Sequence, residues 1–591
     1  MPTYRAPLAS LRFLLHDVLD APGVLAGAGW AEVSAELIDD VLSQAARFTE
    51  EVIAPADAPA DREGARCTAD GVRLPEGLRS AYRAWVEGEW GGLAGDPAYG
   101  GQGLPEVLDT AVTEMVCGAG LAFSIVPGLT RGAVRAIAAH GGDALKARWL
   151  PPMVRGEWTG AMALTEPQAG TDLGLLRTRA EPAGDGTHRI TGQKMFISAA
   201  DHDLTDNVVH LVLARLPDAP PGTRGISLFL VPRALPDGAR NAWRVLSVEA
   251  KMGLHASPTC VVAYDGATGW LVGEAHRGLP AMFTMMNHER LFVAVQGIGA
   301  GEAATGMAEA YARDRLQGRA PDGPHAPDRP ADPITAHPDV RRMLLTARAL
   351  TEAGRALALW TALAMDRAHH SGDPAVQREA EGWAALLTPV LKAAGTDFGF
   401  EAAVLAQQVM GGHGYIRDND VERIVRDVRA TQIYEGTNGV QALDLVGRKL
   451  AMDGGRPLRR LLDAIDGTAA ALAADPDTAG LAAPLAAATD RLRGAVAGLG
   501  EAPSPLTAAA VATDTLRLLA LVAYGWMWGL MALAAVRRRR AGGGDAAFLA
   551  GRLALARFFS AKLLPDTLAL EARIRAGHAT VTDPDGGPPG A

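Results

Sequence analysis

Apolar and polar positions follow two different periods along this chain, and the period changes near Trp158 and again near Leu279. From about Leu11 to Leu150 the apolar residues recur at the three-and-four spacing of a helical face. SAELIDDVLSQAARFTEEVIAP carries its own punctuation. Ser34 stands where an N-cap hydroxyl belongs, and Pro55 where a missing N–H ends a helix. Between helices, GEWGGLAGDPAYGGQGLP reads as a Gly-rich loop. After Trp158 come short β-branched runs bounded by Gly, Pro and Asn: HRITGQKMFISAA, NVVHLVLARLP, GISLFLVP and TCVVAYDG. They predict an antiparallel β unit. Helical spacing returns from about Leu279 to Leu450, broken by APDGPHAPDRPADP, a Pro-rich surface excursion. Beyond Gly454 and Gly455 an Ala- and Leu-rich helical stretch ends in a loose tail, DPDGGPPGA.

Helices, a β block and helices again do not alternate as βαβ units do. The fold class is therefore α+β with segregated layers. The expected parts are an N-terminal helical domain with a short extension (1–157), a central antiparallel β domain (158–278), a helical domain (279–452) and an extra C-terminal helical bundle (453–591).

Bulk properties narrow the possibilities. A chain of 591 residues exceeds one ordinary core, and 48% hydrophobic with 21% charged residues reads as folded and globular. A net charge of -10 argues against broad binding to nucleic acid or to an anionic membrane. Cys67, Cys117 and Cys260 lie far apart without a CxxC, so neither a disulfide framework nor a zinc or other metal site is expected, and a reducing, cytoplasmic setting is the simplest reading. The start, MPTYRAPLASLRFLLHDVLD, has an early Pro and an acid where a signal peptide needs a basic head and a clean apolar run.

Two stretches resemble signals that they do not complete. In GIGAGEAATG, Glu302 occupies the place of the third Gly of a nucleotide loop and no strand precedes it, so close helix packing through small residues is expected. Leu518 to Val536 carries no charge and is followed by Arg537–Arg540, the outline of a membrane span with a basic flank. Its position among amphipathic helices favours a helix buried on all sides, not a span. A peripheral contact of 518–540 with a membrane or partner is the alternative. The four arginines are expected to satisfy the helix's last carbonyls, in preference to forming a nucleic-acid patch.

The chemistry concentrates in three motifs. GAMALTEPQAGTDLG places Thr165-Glu166-Pro167 and Ala169-Gly170-Thr171-Asp172 on a turn leaving a strand. Hydroxyls and free amides there suit a polar heterocycle and a phosphate. In KMFIS, strand alternation puts Phe196 and Ser198 on one face and Met195 and Ile197 on the other, an aromatic and a hydroxyl side by side for a flat ring. A capped turn and an ordinary strand would explain either segment alone. In RATQIYEGTNGVQALDLVGRKL, a single carboxylate, Glu435, stands on a turn between Tyr434 and Gly436, Thr437, Asn438 and Gly439. Upstream, Arg423, Arg426 and Arg429 read as a solvated helix face near Asp427, with a subunit or phosphate contact as the alternative.

Together, TEPxAG(S/T)D, KxxIS, QVMGGHGY and RD...QIYEGT, in this order and at these distances, resemble the acyl-CoA dehydrogenase family over nearly the whole chain. MPTYRAP, HGGDALKARWLPPMVRGEWTGAMALTEP, KMGLHASPT, ARDRLQGR, HPDVRRML and YEGTNGVQALDLVGRK, with the C-terminal extension, are similar to the family's long subgroup that includes 3-methylmercaptopropionyl-CoA dehydrogenases. The resemblance implies FAD, a CoA thioester and α,β-dehydrogenation to the 2-enoyl-CoA. The acyl group would be 3-methylmercaptopropionyl or a fatty acyl chain, with electrons passing to an electron-transfer flavoprotein. It also implies a homo-oligomer, a dimer in preference to a tetramer, whose subunits share each FAD site's surroundings.

Carried over by position, Leu164, Thr165, Gly170 and Thr171 would line the flavin, and Thr171 also the start of the acyl-CoA channel. Phe196 and Ser198 would lie against the isoalloxazine, with Phe where the family more often has Trp. Arg315 would reach the adenine–pyrophosphate half of FAD on a neighbouring subunit, although Gly318 stands where a Phe-Gly pair is usual. Gln408, Gly411, Gly412 and Thr437 would also contact FAD, Arg290 would help hold the CoA end, and Gly436 would leave room for the thioester. Each Arg could instead pair with a neighbouring acid.

Glu435 is implied to remove the α-proton. Its own backbone N–H and a flavin ribityl hydroxyl would face the enolate oxygen, and the β-hydrogen would leave as hydride to flavin N5. A bound acyl chain would dry the site and favour the neutral carboxyl, bringing the base nearer the pKa of its task. A minority of the family places its base just before the arginine matched here to Arg290, which makes Glu289 the rival. Those members generally lose the acid at the YEGT position. Here it is kept, so Glu435 is favoured and Glu289 is left to an ion pair or to tuning the pocket wall. Two other activities stay open: an acyl-CoA oxidase reoxidised by O2, and a DNA-binding flavoprotein relative, which only Arg537–Arg540 encourages.

Overall fold

The computed structural model describes residues 4–501 and 504–582; the first three residues of MPTYRAP and the tail 583–591 lie outside the described residues. Contacts divide the chain into two units. One comprises Arg47–Leu104 and Ala119–Phe292, the other Met1–Ala46, Pro105–Gly118 and Val293–Ala591.

The first unit holds the β structure. A small hairpin pairs β1 (Arg66–Thr68) with β2 (Gly71–Arg73). The main sheet contains β3 (Trp158–Ala163), β4 (Arg179–Pro182), β5 (His188–Ser198), β6 (Asn207–Arg215), β7 (Ile226–Pro232), β8 (Trp243–Val248) and β9 (Thr259–Val272). Its pairings run β4–β5–β9–β7–β6 and return to β4 through one pair, Arg179 with Arg215, so the sheet curls into a ring. The four expected strands are β5, β6, β7 and β9, antiparallel to one another where they pair. β3 departs from that expectation: it lies parallel to β6, in register from Trp158–Asn207 to Ala163–Val212. β6 and β7 are buried along almost their whole length, which is why NVVHLVLAR and ISLFLVP are nearly continuous apolar runs.

Ser34 caps as expected, its Oγ accepting the Leu37 N–H at 3.3 Å. The helix it starts does not end at Pro55. A wider, π-type turn at Thr49–Ile53 follows Ala35–Phe48 and leads without a break into Ala54–Glu63, and this widened turn lies immediately before Pro55, where the regular hydrogen-bond ladder would lack an N–H.

The second unit is helical. Its long elements are the later part of Gly278–Asp314, then Pro338–His370 and Pro374–Met410. The GIGAGEAATG stripe is a helix contact. A Cβ on Gly297 would lie 2.3 Å from the Gly395 carbonyl oxygen, one on Gly399 2.1 Å from the Gly297 oxygen, and one on Gly299 2.8 Å from the Glu114 oxygen. The Pro-rich excursion is organised around Asp332, which accepts from the Ala320 and Ala326 N–H groups at 3.0 and 2.7 Å and pairs with Arg319 at 3.1 Å. Although burial pushes its carboxyl upward, those donors hold it down to about 2.

In the extension, Pro505–Arg540 is packed by Arg456–Ala474, Ala482–Glu501, Ala546–Lys562 and Asp566–Ala576. From Leu518 to Val536 only Leu530 and Leu533 are even half-exposed. Trp526 Nε1 donates to Thr468 Oγ1 at 2.9 Å and Trp528 Nε1 to the Ala349 oxygen at 3.1 Å, so the charge-free run is a core helix. The arginines after it do not serve the helix's own carbonyls. Arg537 donates to the Asp17 oxygen and Arg538 pairs with Asp17 at 3.1 Å. Arg539 meets Asp477 at 2.8 Å, and Arg540 meets Asp475 at 2.7 Å and Asp477 at 2.8 Å. For Arg538, Arg539 and Arg540, acids on neighbouring elements outcompete carbonyls because the bond is charge-assisted on both sides, whereas Arg537 takes the backbone carbonyl of Asp17.

Candidate active site

In the β-bearing unit, the chain leaves β3 at Ala163 and turns through Leu164–Asp172 before β4. Glu166 anchors that turn from within, 4% exposed. It accepts from the Arg177 N–H at 2.6 Å, the Thr178 N–H at 3.0 Å, Thr178 Oγ1 at 2.5 Å and Gln168 Nε2 at 2.7 Å. Lys194 Nζ, fully buried on β5, completes the set at 2.9 Å and donates to the Leu164 oxygen at 2.8 Å. Burial alone would push the Glu166 carboxyl up. Lys194 and the four other donors overcome this and hold it at about 2. Burial pulls the Lys194 ammonium down to about 8 against the pull of Glu166, because it has only two acceptors to replace its water. Both stay charged at neutral pH. Neither residue was given a role of its own from the sequence, yet they are the E of TEP and the K of KxxIS, and their ion pair ties the two motifs together in the fold.

Next to Lys194 the β5–β9 register slips between Lys194 and Ile197, and Phe196 takes φ +58°. Simple alternation therefore fails at KMFIS. A β-bulge buries Lys194 and Ile197 and leaves Phe196 56% exposed beside a half-buried Ser198. The Met195 N–H donates to the Thr165 oxygen at 3.0 Å, which ties the bulge to the turn. Leu164 and Thr165 are half-buried, Gly170 and Thr171 exposed, and a Cβ on Gly170 would meet open space. An exposed aromatic, hydroxyls and an uncrowded backbone on one locked turn form a donor set that fits a flat polar ring.

Glu289 and Arg290, also in this unit, are 2% and 6% exposed on Gly278–Asp314. The helix Leu121–His140 makes room for them. A Cβ on Gly132 would lie 2.5 Å from Glu289 Oε1, and one on Gly128 2.3 Å from the Phe292 ring.

In the helical unit, Val421–Thr431 leads into the turn that carries Glu435. Arg423 and Arg426 on it are not on a solvated face, and Arg429 is half-buried. Arg426 pairs with Glu422 at 2.6 Å and Arg423 with Asp427 at 3.9 Å, and both side chains are about 15% exposed or less (15% and 13%). Glu435 and Gly436 follow each other at φ +58° and +79°. Gly tolerates this; a Glu does so only when its surroundings hold it.

Those surroundings are explicit. Tyr434 O–H donates to Gln296 Oε1 at 2.6 Å, and Gln441 Nε2 to the Glu435 and Gly436 oxygens at 3.1 and 3.3 Å. Thr437 caps Asn438–Asp444 by accepting the Val440 N–H at 3.3 Å. Asn438 Nδ2 donates to Asp397 at 2.7 Å and Thr396 Oγ1 at 3.0 Å, while buried Lys392 donates to Asn438 Oδ1 at 2.8 Å. Glu435 itself is half-buried.

Pro374–Met410 ends with an exposed Gln408 and exposed Gly411 and Gly412, Gly411 at φ +58°. Arg315 is exposed, and its side chain has no ion pair among the described residues, contrary to the simple acid-pairing alternative.

Four family models match in succession: the acyl-CoA dehydrogenase N-terminal domain at residues 36–157, the middle domain at 161–267, the C-terminal domain at 276–450 and an acetyl-CoA dehydrogenase C-terminal-like domain at 461–585. The chain is 43% identical to the 3-methylmercaptopropionyl-CoA dehydrogenase of Ruegeria pomeroyi, over 97% of this chain and 98% of that one. It is 33% identical to a broad-specificity linear acyl-CoA dehydrogenase of Mycobacterium tuberculosis, over 96% of each.

The chain belongs to the acyl-CoA dehydrogenase family. It is a flavoprotein oxidoreductase acting on acyl-CoA, with FAD as its cofactor. The fold extends the same likeness. Caenorhabditis elegans ACDH-11, solved with C11-CoA, superposes with a TM-score of 0.80 over 99% of this chain and 96% of that one at 18% identity. Butyryl-CoA dehydrogenase from Megasphaera elsdenii gives 0.58 over 70% of this chain and 97% of that one at 25% identity.

Proposed function

We propose that this acyl-CoA dehydrogenase uses Glu435 as the base that takes the α-proton of the thioester. The observation that carries the reading is the held turn. A half-buried carboxylate sits at a left-handed position, fixed by Tyr434, Gln441 and Asn438, and is followed by a glycine. A base placed this way needs no reorganisation before it acts. The Glu435 N–H is one donor for the enolate oxygen, and Gly436 leaves the thioester room. Bound FAD supplies the two-electron acceptor for the β-hydrogen. Phe196 and Ser198 would lie against its ring, with Leu164, Thr165, Gly170 and Thr171 along the turn. Thr437 would also contact FAD, and Arg315 would reach the adenine–pyrophosphate half of FAD on a neighbouring subunit, where Gln408, Gly411 and Gly412 would contact the same cofactor. Arg290 would hold the CoA end.

The relative from Ruegeria favours 3-methylmercaptopropionyl-CoA as substrate, and the mycobacterial one keeps straight-chain acyl-CoA open. Electrons would pass to an electron-transfer flavoprotein, in a cytoplasmic homodimer built from domains at 1–157, 158–278, 279–452 and 453–591.

Glu289 supports a second reading, because it too is a carboxylate at a base position of the family. Its deep burial against Gly132 suits a wall residue better. Anaerobic titration of the yellow enzyme with a panel of acyl-CoAs separates the two. Glu435→Gln and Glu289→Gln should both keep full flavin, and only the first should lose bleaching. Bleaching that survives in Glu435→Gln overturns the assignment.

A further inference from the structure

The helical unit contains a concavity of about 610 Å³, which none of the residues assigned above to flavin or substrate lines. Its walls come from three distant stretches: Ala6–Ser10, the helices Gly278–Asp314 and Pro338–His370, and Ala546–Lys562 of the C-terminal extension.

The floor is a layer of buried ion pairs. Glu352, 1% exposed, accepts from Ser10 Oγ at 2.8 Å and pairs with Arg355 at 2.9 Å and Arg552 at 2.8 Å. Arg348 takes Glu302 at 2.5 Å and Glu309 at 3.0 Å, and Arg355 also takes Glu114 and Glu302, each at 2.6 Å. Every acid in this layer therefore has an arginine.

The arginines are not used up in return. Arg552, 8% exposed with its guanidinium 4.6 Å from the Phe548 ring centroid, has a buried Nε–H with no hydrogen-bond acceptor. Arg313 and Arg341 stand exposed on the lining, without an ion pair among the described residues. The accessible donors on the lining that no acid occupies are thus the Arg313 and Arg341 guanidiniums, while Pro7, Leu8, Leu344, Leu345 and Leu555 are apolar wall. The size falls within the range of small-molecule sites.

We infer that this cavity is a binding site for an amphipathic carboxylate. Arg341 and Arg313 face the anionic head above the floor held by Arg552 and Glu352, and Leu8, Leu344, Leu345 and Leu555 take an aliphatic body. The inference does not rest on the role of Glu435.

Isothermal titration of the FAD-loaded enzyme without acyl-CoA, using sodium octanoate, 1-octanol and inorganic phosphate as probes, tests it. Octanoate should bind one site per chain without perturbing the flavin spectrum, and the other two should not bind. The rim variant Arg313→Ser/Arg341→Ser should weaken octanoate about tenfold or more while acyl-CoA turnover holds, as expected when charge-assisted bonds are lost. Absence of octanoate binding, equal affinity in the rim variant, a flavin perturbation, or phosphate binding as tightly as octanoate would each overturn the site.

Discussion

Asn438→Ala tests whether the turn carrying Glu435 is held from outside. The native side chain donates to the Asp397 carboxylate at 2.7 Å and receives from the Lys392 ammonium at 2.8 Å, and it also donates to Thr396 at 3.0 Å. Two of these bonds involve a charged partner, worth about 1.5–3 kcal/mol each, and the neutral one about 1 kcal/mol. Asn438 is half-buried, so water recovers part of the sum and a net loss of about 3 kcal/mol is expected. That is roughly a hundredfold shift in the ratio of held to displaced turn. A base displaced by about an ångström itself costs on the order of a hundredfold in rate.

Stopped-flow bleaching at saturating acyl-CoA should therefore slow about ten- to a hundredfold, with flavin content and acyl-CoA affinity within about twofold of native. Asn438→Asp should be no better than Ala, since it keeps an acceptor for Lys392 but sets a second carboxylate against Asp397. A bleaching rate within about twofold of native would mean that Tyr434 and Gln441 hold the turn unaided, and the argument from Asn438 fails.

Two further changes probe the frame. Lys194→Met leaves Glu166 buried without its cation, a loss of about 3–5 kcal/mol that should appear as a lower urea midpoint. The pH response should change in two windows. Native Glu166, held at about 2 against an ordinary 4.5, stabilises the fold above pH 4.5 and loses that contribution as the pH falls toward 2. In the variant its pKa rises, so acid unfolding should begin at higher pH. Lys194, drawn down to about 8 from 10.5, makes native stability climb between those values, and in Lys194→Met that climb should vanish. Gly399→Ala would place a Cβ 2.1 Å from the Gly297 oxygen and should lower the thermal midpoint through about 1–3 kcal/mol of overpacking. An unchanged midpoint would show that the two helices can part at no cost.

The layers of the fold were legible because burial imposes period two on strands and three to four on helices. The family was legible because TEPxAG(S/T)D, KxxIS and QIYEGT are short motifs in a fixed order. What escaped depends on partners remote in sequence. Lys194 looks like an ordinary strand lysine until Glu166 is placed beside it. The bulge at Phe196 cannot be read from alternation, because alternation assumes that no residue is inserted into the ladder. β3 reads as a strand without announcing that it pairs parallel with β6, since orientation is set by the path of the intervening chain. The Arg423 series was placed on a solvated face because charge suggests water. Asp427 and Glu422 supply counter-charges that let the arginines sink.

Glu352 has a consequence for the order in which the molecule can be finished. Ser10 meets both Glu352 and Arg552, the second from 542 residues away. At about 5–20 residues per second of synthesis, Ser10 waits roughly half a minute to two minutes for that last contact. During that time the helix bearing Glu352 has emerged while Arg552, its partner from the extension, has not. The helix Ala546–Lys562 thus supplies a late step of assembly. A ribosome that stops before Arg552 releases a molecule in which the turn bearing Glu435 has been made but buried Glu352 still lacks one of its cations.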